Sequence, residues 1–242
     1  MKNYLLLMMG GSGTRLGADI PKQYIEVNDI PIFAYILKKY DQLPFIDRII
    51  VVSHRDWFGF VEEWAEKLKI KKLEEIAPGG ATRSGSVKNG LTAAGKTAAP
   101  EDIMLLHDAT HPYVDGEGTL GVIEGVKKYG GATLGGFQYD TVYQMDEETH
   151  IIKQVLPRKE VVSGASPEAF KFGDLFPIYD KADEKELESM TSAGAIALAH
   201  GIQMEVVQAN TINLKITYKN DMEAFKKTAD AYFFEGFKEI DD

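Results

Sequence analysis

The chain has 242 residues, of which 44% are hydrophobic and 26% are charged, and this suits one globular domain spanning residues 1–242. The absence of cysteine excludes disulfides and thiolate metal sites, and a formal net charge of −10 argues against general nucleic-acid binding. The first apolar run, at residues 4–9, is too short for a secretion signal or a membrane span. We therefore expect a cytoplasmic protein that binds neither membranes nor nucleic acid.

Short apolar runs typical of buried strands alternate with segments of helical periodicity through the first half of the chain. The predicted strands are residues 4–9, 48–53, 103–107 and 131–137, and the predicted helices are residues 30–40, 57–70, 84–94 and 117–129. This alternation predicts an α/β fold with a mainly parallel sheet between two layers of helices. Because such sheets bind ligands beyond the carboxyl ends of their strands, we expect the site in the loops after Met9, Ser53, Ala77 and His107.

Residues 138–160 interrupt this alternation. Two segments of alternating polar and apolar residues flank the acidic residues 146–148, a pattern typical of a β-hairpin that projects as an arm. Its apolar side chains need cover, which either a second subunit or the hairpin's own domain can supply. These side chains are Val142, Tyr143, Ile151, Ile152 and Val155.

The remainder of the chain returns to mixed helix and strand patterns. We predict a helix near residues 167–179 and an alanine-rich helix at residues 191–200. A strand is predicted at residues 203–208, residues 212–217 also have strand character, and a last helix begins at Asn220.

The first predicted strand leads into a glycine-rich loop that is followed by Lys22. Leu16 stands where a dinucleotide fingerprint needs its last glycine, and Pro21 before Lys22 does not fit a P-loop. The backbone N–H groups of such a turn can approach phosphate oxygens closely, with Arg15 and Lys22 as the cations. The candidate phosphate-binding residues of the turn are Gly10, Gly11, Ser12 and Gly13. A flexible turn with solvated cations is the alternative.

Three further segments carry candidate site residues. Ser84 and Ser86 begin a helix after a second glycine-rich turn, where a hydroxyl and free N–H groups can contact a base or merely cap the helix. Asp108 at a strand end can hold magnesium against a triphosphate or cap the next turn. Lys215 needs an anion unless it reaches solvent. His107 and Asp108 are adjacent on a strand and point to opposite faces, which argues against a His-Asp-His metal site.

Five segments in this order resemble the family of 2-C-methyl-D-erythritol 4-phosphate and ribitol 5-phosphate cytidylyltransferases. They are GGSGTRLGADIPKQY, GGATRSGSVKNGL, LLHDATHP, SPEAF and NLKIT, and the resemblance spans residues 4–225. It implies a Rossmann-like three-layer nucleotidyltransferase with a mainly parallel sheet and a projecting β-arm that builds a homodimer. It also implies CTP as a substrate and magnesium, or another divalent cation, as the cofactor.

The resemblance also implies a role for each matching residue. Arg15, Lys22 and Lys215 would be catalytic, with the first two on the triphosphate. Gly80, Ala81 and Ser86 would line the cytosine site, and Asp108 would contact the ribose and the metal. The implied acceptor contacts are His111, Thr191, Thr217 and, reaching from the arm into the partner's site, Arg158.

The implied reaction is transfer of CMP from CTP to a polyol phosphate, with release of pyrophosphate. An already ionised phosphate oxygen attacks the α-phosphorus in line, so positioning and charge neutralisation suffice. Losing one cation would cost about 3 kcal/mol, roughly a hundredfold in rate. A non-catalytic nucleotide-binding subunit is the alternative, and a nicotinamide dehydrogenase rests on the glycine-rich loop alone.

The chain departs from the family pattern mainly on the acceptor side. His111 replaces an arginine, and Glu168 in Ser-Pro-Glu replaces the glutamine of Thr-Pro-Gln. Thr191 is followed by Ser192 and Ala193 in place of two aspartates, and Ala81 replaces a polar residue of the base-binding turn. Since an imidazole is a poor substitute for a bidentate guanidinium, the acceptor can be narrowed only to the methylerythritol or ribitol phosphate type.

Overall fold

The computed structural model describes residues 1–11, 20–189 and 192–233. In chain order its strands are β1 (Asn3–Met9), β2 (Glu26–Val27), β3 (Ile30–Pro31), β4 (Arg48–Ser53), β5 (Leu73–Pro78), β6 (Ile103–Asp108), β7 (Gly130–Phe137), β8 (Val142–Met145), β9 (Ile152–Leu156), β10 (Val162–Lys171) and β11 (Gln203–Gln208). The α-helices are α1 (Ile32–Gln42), α2 (Phe58–Lys67), α3 (Arg83–Ala94), α4 (Gly116–Tyr129), α5 (Phe172–Lys181), α6 (Glu184–Ser189), α7 (Ala193–Ala199) and α8 (Lys219–Phe233).

Seven strands form the central sheet in the order β11-β7-β10-β6-β1-β4-β5. Every neighbouring pair is parallel except for the two that β10 makes with β6 and β7. Side chains alternate between two buried clusters, so that Leu5 and Leu7 of β1 lie in one and Leu6 and Met8 in the other. Both faces of the sheet are therefore covered, which confirms the predicted three-layer α/β fold with a mainly parallel sheet.

Two predicted elements are wrong. The predicted helix near residues 167–179 begins only at Phe172, because residues 168–171 pair with β6 and form part of β10. The strand-like segment at 212–217 is not a strand in the structure. Its link to the turn after β6 is a hydrogen bond from the Ile216 N–H to the Thr110 carbonyl at 2.8 Å.

The arm is an isolated antiparallel pair of strands, β8 and β9, which confirms the predicted hairpin. The Asp146 carboxylate shapes its turn by accepting from the Thr149 N–H at 3.0 Å and pairing with Lys153 at 2.8 Å. Its apolar side chains are more than half exposed at Tyr143, Ile151 and Val155. The alternative in which the hairpin packs on its own domain therefore does not hold for these side chains.

None of the helices within the described ranges combines the length and the apolar character that crossing a bilayer requires. The longest, α8, has 15 residues and carries charged side chains along its length. A span needs about 20 mostly apolar residues.

Candidate active site

A cleft of about 540 Å³ opens at the carboxyl ends of β1, β4, β5 and β6. The loops after these strands form its walls, as the parallel topology predicts. Eight of the predicted site residues line it, namely Gly10, Gly11, Lys22, Gly80, Ala81, Ser86, Asp108 and Lys215. The four segments that carry them are thus brought together from distant parts of the chain.

The two glycine-rich turns touch each other through their backbones. A Cβ atom on Gly10 would lie 2.6 Å from Ser86 Oγ and 3.2 Å from Gly79 Cα, and one on Gly80 would lie 2.5 Å from the Gly85 carbonyl carbon. Neither position has room for a side chain. Glycine at these positions therefore lets the turns after β1 and β5 form one continuous wall of the cleft.

Ser86 stabilises the second turn from inside. Its hydroxyl accepts from the Gly80 N–H at 3.0 Å and donates to the Thr82 carbonyl at 3.0 Å, and only 4% of the residue is exposed. A hydroxyl oxygen has a second lone pair, so Ser86 can still accept one hydrogen bond from a ligand. The helix cap is Thr82, which accepts from the Gly85 N–H at 3.0 Å, so the expectation that Ser84 or Ser86 caps α3 is wrong.

Lys22 and Gln23 lie together on a short 3₁₀ helix, Lys22–Tyr24, behind the first turn. The Lys22 ammonium donates to the Ile216 carbonyl at 2.6 Å and so joins the first turn to the segment that carries Lys215. Gln23 Nε2 donates to the Met9 and Gly11 carbonyls at 2.6 and 2.9 Å, on either side of Gly10. Gln23 could not be singled out from the sequence, because its position next to Lys22 is its only signal.

Asp108 is the centre of a charged cluster at the end of β6. Its carboxylate oxygens lie 3.2 Å from Arg83 Nη2 and 3.5 Å from Lys215 Nζ. Burial acts to raise the pKa of Asp108, but Arg83 and Lys215 outweigh it and hold that pKa below its usual value. Asp108 is therefore ionised at neutral pH. Its side chain contacts these cations and does not cap the following turn.

Arg83 is a second residue that the sequence analysis missed, although it stands inside the quoted GGATRSGS turn. Its Nη2 atom also lies 3.1 Å from Glu168 Oε1, so one guanidinium bridges two carboxylates. Lys215, with 51% of its side chain exposed, reaches solvent and the cleft together. This agrees with the expectation that Lys215 either finds an anion or reaches solvent, since it does both.

His107 is buried and fixes the turn after β6. Its Nε2–H donates to the His111 carbonyl at 2.8 Å, so its Nδ1 accepts from the Tyr40 hydroxyl at 2.9 Å. Burial lowers the pKa of His107 to about 4. His107 therefore supports the backbone beside Asp108. Within the described ranges no three His, Asp or Glu side chains are grouped to bind a metal.

His111 faces a small cavity beside the main cleft, together with Ser166 and Asn213. Burial, followed by His107 and Lys215, lowers its pKa to about 4, so the imidazole is neutral at pH 7. Its Nε2 atom is buried and has no hydrogen-bond partner among the residues that the structure describes. The departure from arginine at this position therefore leaves a neutral group with one unused hydrogen-bonding atom.

Two other predicted acceptor residues, Thr217 and Arg158, do not line the cleft. Thr217 N–H donates to Asp221 at the start of α8, and exposed Arg158 donates to the Tyr139 carbonyl at the base of the arm, at 2.6 Å. Four predicted residues lie outside the described part of the chain: Ser12, Gly13, Arg15 and Thr191. The predicted roles of these residues stay predictions.

Comparison with known proteins bears directly on this cleft. A profile of the 2-C-methyl-D-erythritol 4-phosphate cytidylyltransferase family, IspD, matches residues 4–233. The enzyme of that name from Petrotoga mobilis is 33% identical over 224 residues, which cover 92% of this chain and 96% of that protein. The ribitol-5-phosphate cytidylyltransferase of Lacticaseibacillus paracasei is 27% identical, over 91% of this chain and 95% of that one.

Solved structures give the same result. The 2-C-methyl-D-erythritol 4-phosphate cytidylyltransferase of Francisella tularensis superposes with a TM-score of 0.74 at 26% identity, over 93% of this chain and 98% of that one. The 4-diphosphocytidyl-2C-methyl-D-erythritol synthase of Anaerococcus prevotii has a TM-score of 0.78 at 23% identity, over 94% and 96%, and shares the fold. Because the profile spans nearly the whole chain and a relative above 30% identity covers it, the chain belongs to the 2-C-methyl-D-erythritol 4-phosphate cytidylyltransferase family of nucleotidyltransferases.

Proposed function

We propose that this protein transfers CMP from CTP to a polyol phosphate and releases pyrophosphate, forming a CDP-alcohol. The observation that carries the proposal is the cleft in which two glycine-rich turns face Lys22, Asp108 and Lys215. Family membership supports the reaction type. The two kinds of relative support 2-C-methyl-D-erythritol 4-phosphate and D-ribitol 5-phosphate as the acceptors to test first. We place the reaction in the cytoplasm.

The chemistry asks the protein for position and charge. An oxygen of the acceptor phosphate forms a bond to the α-phosphorus of CTP while the bond from that phosphorus to the β-phosphate oxygen breaks. The electron pair leaves with pyrophosphate, and negative charge grows on the oxygens around the α-phosphorus. Lys22, Lys215 and the predicted Arg15 would neutralise that charge, and no protein nucleophile is required.

The base and the triphosphate would take opposite parts of the cleft. The turn after β5, with Gly80, Ala81 and Ser86, offers one free acceptor position at Ser86 Oγ, which suits an amino group such as that of cytosine. The turn after β1 would hold the phosphates through Gly10, Gly11 and the predicted Ser12 and Gly13. The acceptor would lie on the side of His111, Thr191 and Thr217.

The donor set of the cleft fits a divalent cation that is bound jointly with nucleotide. Magnesium commonly uses one or two carboxylates together with substrate phosphates and water, and Asp108 supplies one ionised carboxylate at the cleft. A bound magnesium ion would supply further neutralisation of phosphate charge. Asp108 would hold it, after its contacts with Arg83 and Lys215 are shared or released.

We further propose that the arm pairs with a second copy of the chain. The arm is a separate two-stranded sheet, and such a sheet is only marginally stable alone. It also exposes several large apolar side chains to solvent, which is typical of a surface that binds a partner. Pairing would cover them and would bring the exposed Arg158 to the partner's cleft. Sedimentation should show a dimer for the natural chain and a monomer for the double substitution of Tyr143→Lys and Ile151→Lys.

The decisive assay follows pyrophosphate release from CTP across a panel of polyol and sugar phosphates. We expect turnover with a methylerythritol or ribitol phosphate and much slower turnover with UTP. Tight CTP binding without turnover on any acceptor would favour the non-catalytic alternative. Binding of NADH with none of CTP would instead favour a dehydrogenase.

A further inference from the structure

Glu168 joins three separate elements at the edge of the cleft. It lies on β10 opposite Leu106 of β6, and only 13% of its side chain is exposed. Its Oε1 atom is 3.1 Å from Arg83 Nη2, and its Oε2 atom accepts from the Gly194 N–H at 2.9 Å. Arg83 is the first residue of α3 and Gly194 is the second residue of α7.

Both contacts require an acceptor, and this determines the residue type. A carboxylate offers two acceptor oxygens, whereas a glutamine amide offers one oxygen and one NH₂ group. Because Arg83 and Gly194 approach different oxygens of Glu168, a glutamine in the same place would keep one of the two contacts and turn its NH₂ group towards the other donor.

Arg83 depends on Glu168 for its placement. Its Nη2 atom lies between Glu168 and Asp108, at 3.1 and 3.2 Å, while Nη1 has no hydrogen-bond partner within the described residues. Without the Glu168 charge, Arg83 would pair with Asp108 alone and the Gly194 N–H would lose its acceptor. A single side chain thus determines both the pairing of Arg83, which lines the cleft, and the hydrogen bond at the amino end of α7.

We propose that Glu168 is a positioning residue for acceptor binding, which holds Arg83 and the amino end of α7 in one fixed arrangement. This rests on the proposed function, in which Thr191, two residues before α7, contacts the acceptor. Glu168 acts through Arg83 and α7 and touches neither substrate. Its loss should therefore affect the acceptor more than the nucleotide.

The test is Glu168→Gln, which keeps the shape and removes one of the two acceptors. We expect the KM for the acceptor to rise about tenfold, the usual effect of losing one charge-assisted hydrogen bond. The Kd for CTP, measured by calorimetry without acceptor, should change less than twofold. The matched control is Glu186→Gln on α6, which replaces an exposed carboxylate that accepts from the Asp183 N–H at 3.0 Å, and it should alter neither constant.

A second readout does not depend on turnover. Amide hydrogen exchange at Gly194 should be faster in Glu168→Ala, which removes both acceptor oxygens, than in the natural chain, and unchanged in Glu186→Gln. Unchanged exchange, or an equal rise in both substrates' constants together with a lower Tm, would overturn the positioning role. Absence of turnover in the natural chain would refute the proposed function and leave the exchange result to decide the role of Glu168.

Discussion

The cleft has two walls that are stabilised by different interactions. The glycine wall, Gly10, Gly11, Gly79 and Gly80, is formed by backbones in direct contact and braced by Gln23 and Ser86. The charged wall, Arg83, Asp108, Glu168 and Lys215, is held by ion pairs between side chains of different elements. In the glycine wall a Cβ atom added at Gly10, Gly79 or Gly80 would lie within 3.2 Å of a backbone atom, whereas one at Gly11 would meet nothing within 4 Å. In the charged wall a charge can be shared, moved or replaced.

This difference accounts for where the chain departs from the family pattern. His111 and Glu168 are changed residues at or beside the charged wall, while the glycine wall keeps its turns apart from Ala81. Close backbone contact tolerates little change, because the cost of overpacking is about 1–3 kcal/mol. A charged cluster tolerates substitutions as long as each remaining charge still has a partner of opposite charge.

The largest effect is expected for Lys215→Ala in the charged wall. The variant removes a cation 3.5 Å from Asp108, and kcat/KM should fall roughly a hundredfold, about 3 kcal/mol of transition-state stabilisation. Because half of the Lys215 side chain is exposed, Tm should stay nearly constant. Steady-state kinetics measure the change, with the exposed Lys219→Ala as a control. Equal activity in both variants would show that Lys215 has no catalytic role.

Gly10→Ala probes the glycine wall. The new methyl group would lie 2.6 Å from Ser86 Oγ and 3.2 Å from Gly79 Cα, so the two turns must separate. A strain of about 2 kcal/mol would raise the KM for CTP roughly thirtyfold, with a lower Tm. Gly59→Ala on α2, where a Cβ meets nothing within 4 Å, is the control and should bind CTP normally. Normal CTP binding by Gly10→Ala would contradict the contact described between the turns.

His107 supports the turn between Asp108 and His111, and its effect depends on pH. Burial holds its folded pKa at about 4, below the ordinary 6.5, so the unfolded state binds a proton more readily. The contribution of neutral His107 to the stability of the folded state is fully present above pH 6.5 and is lost as the pH falls towards 4. Between pH 7 and pH 5 the free energy of unfolding should fall by about 2 kcal/mol more in the natural chain than in His107→Gln. Urea titrations at both pH values measure this, and equal losses would contradict it.

The smallest effect is expected for Gln23→Glu behind the glycine wall. A carboxylate cannot donate to the Met9 and Gly11 carbonyls, which lie 2.6 and 2.9 Å from Nε2. We expect the KM for CTP to rise about tenfold, with the KM for the acceptor unchanged. Gln42→Glu at the exposed end of α1 controls for the added charge. A rise in the KM for the acceptor, with the KM for CTP unchanged, would contradict the assignment of Gln23 to the glycine wall.

The sequence was sufficient for five of the seven strands of the central sheet, β1, β4, β6, β7 and β11, and for the location of the cleft. Parallel strands of buried residues have a strong periodic signal, and their carboxyl ends meet at one edge. The register of β10 was not predictable in this way, because Ala169 and Phe170 fit a helix face as well as a strand. The antiparallel pairing with β6 in the structure is what makes these residues a strand.

The site was predictable where a motif fixes the backbone and much less so where side chains meet across elements. Gly10 and Asp108 stand at strand ends, so topology alone brings them together, and Lys22 was predicted from the loop motif that follows β1. It was not possible to predict the contacts of Arg83, Glu168 and Gln23 in this way. These contacts depend on how different segments of the chain lie in space, and the types of the three residues follow no unusual pattern in the sequence. The cap of α3 is Thr82 and not Ser84. Both hydroxyls lie within one turn of the start of the helix, so the sequence could not decide between them without the exact first residue of α3.

The reversed direction of β10 has a consequence for kinetics. β7 ends at Phe137, beside Val162 at the start of β10, so the arm leaves and rejoins the sheet at the edge where the cleft opens. One continuous segment runs from Arg158 in the arm to Glu168 at the cleft. If two arms pair as proposed, turnover per subunit depends on total protein concentration. Dilution would then slow the enzyme without any change in substrate concentration.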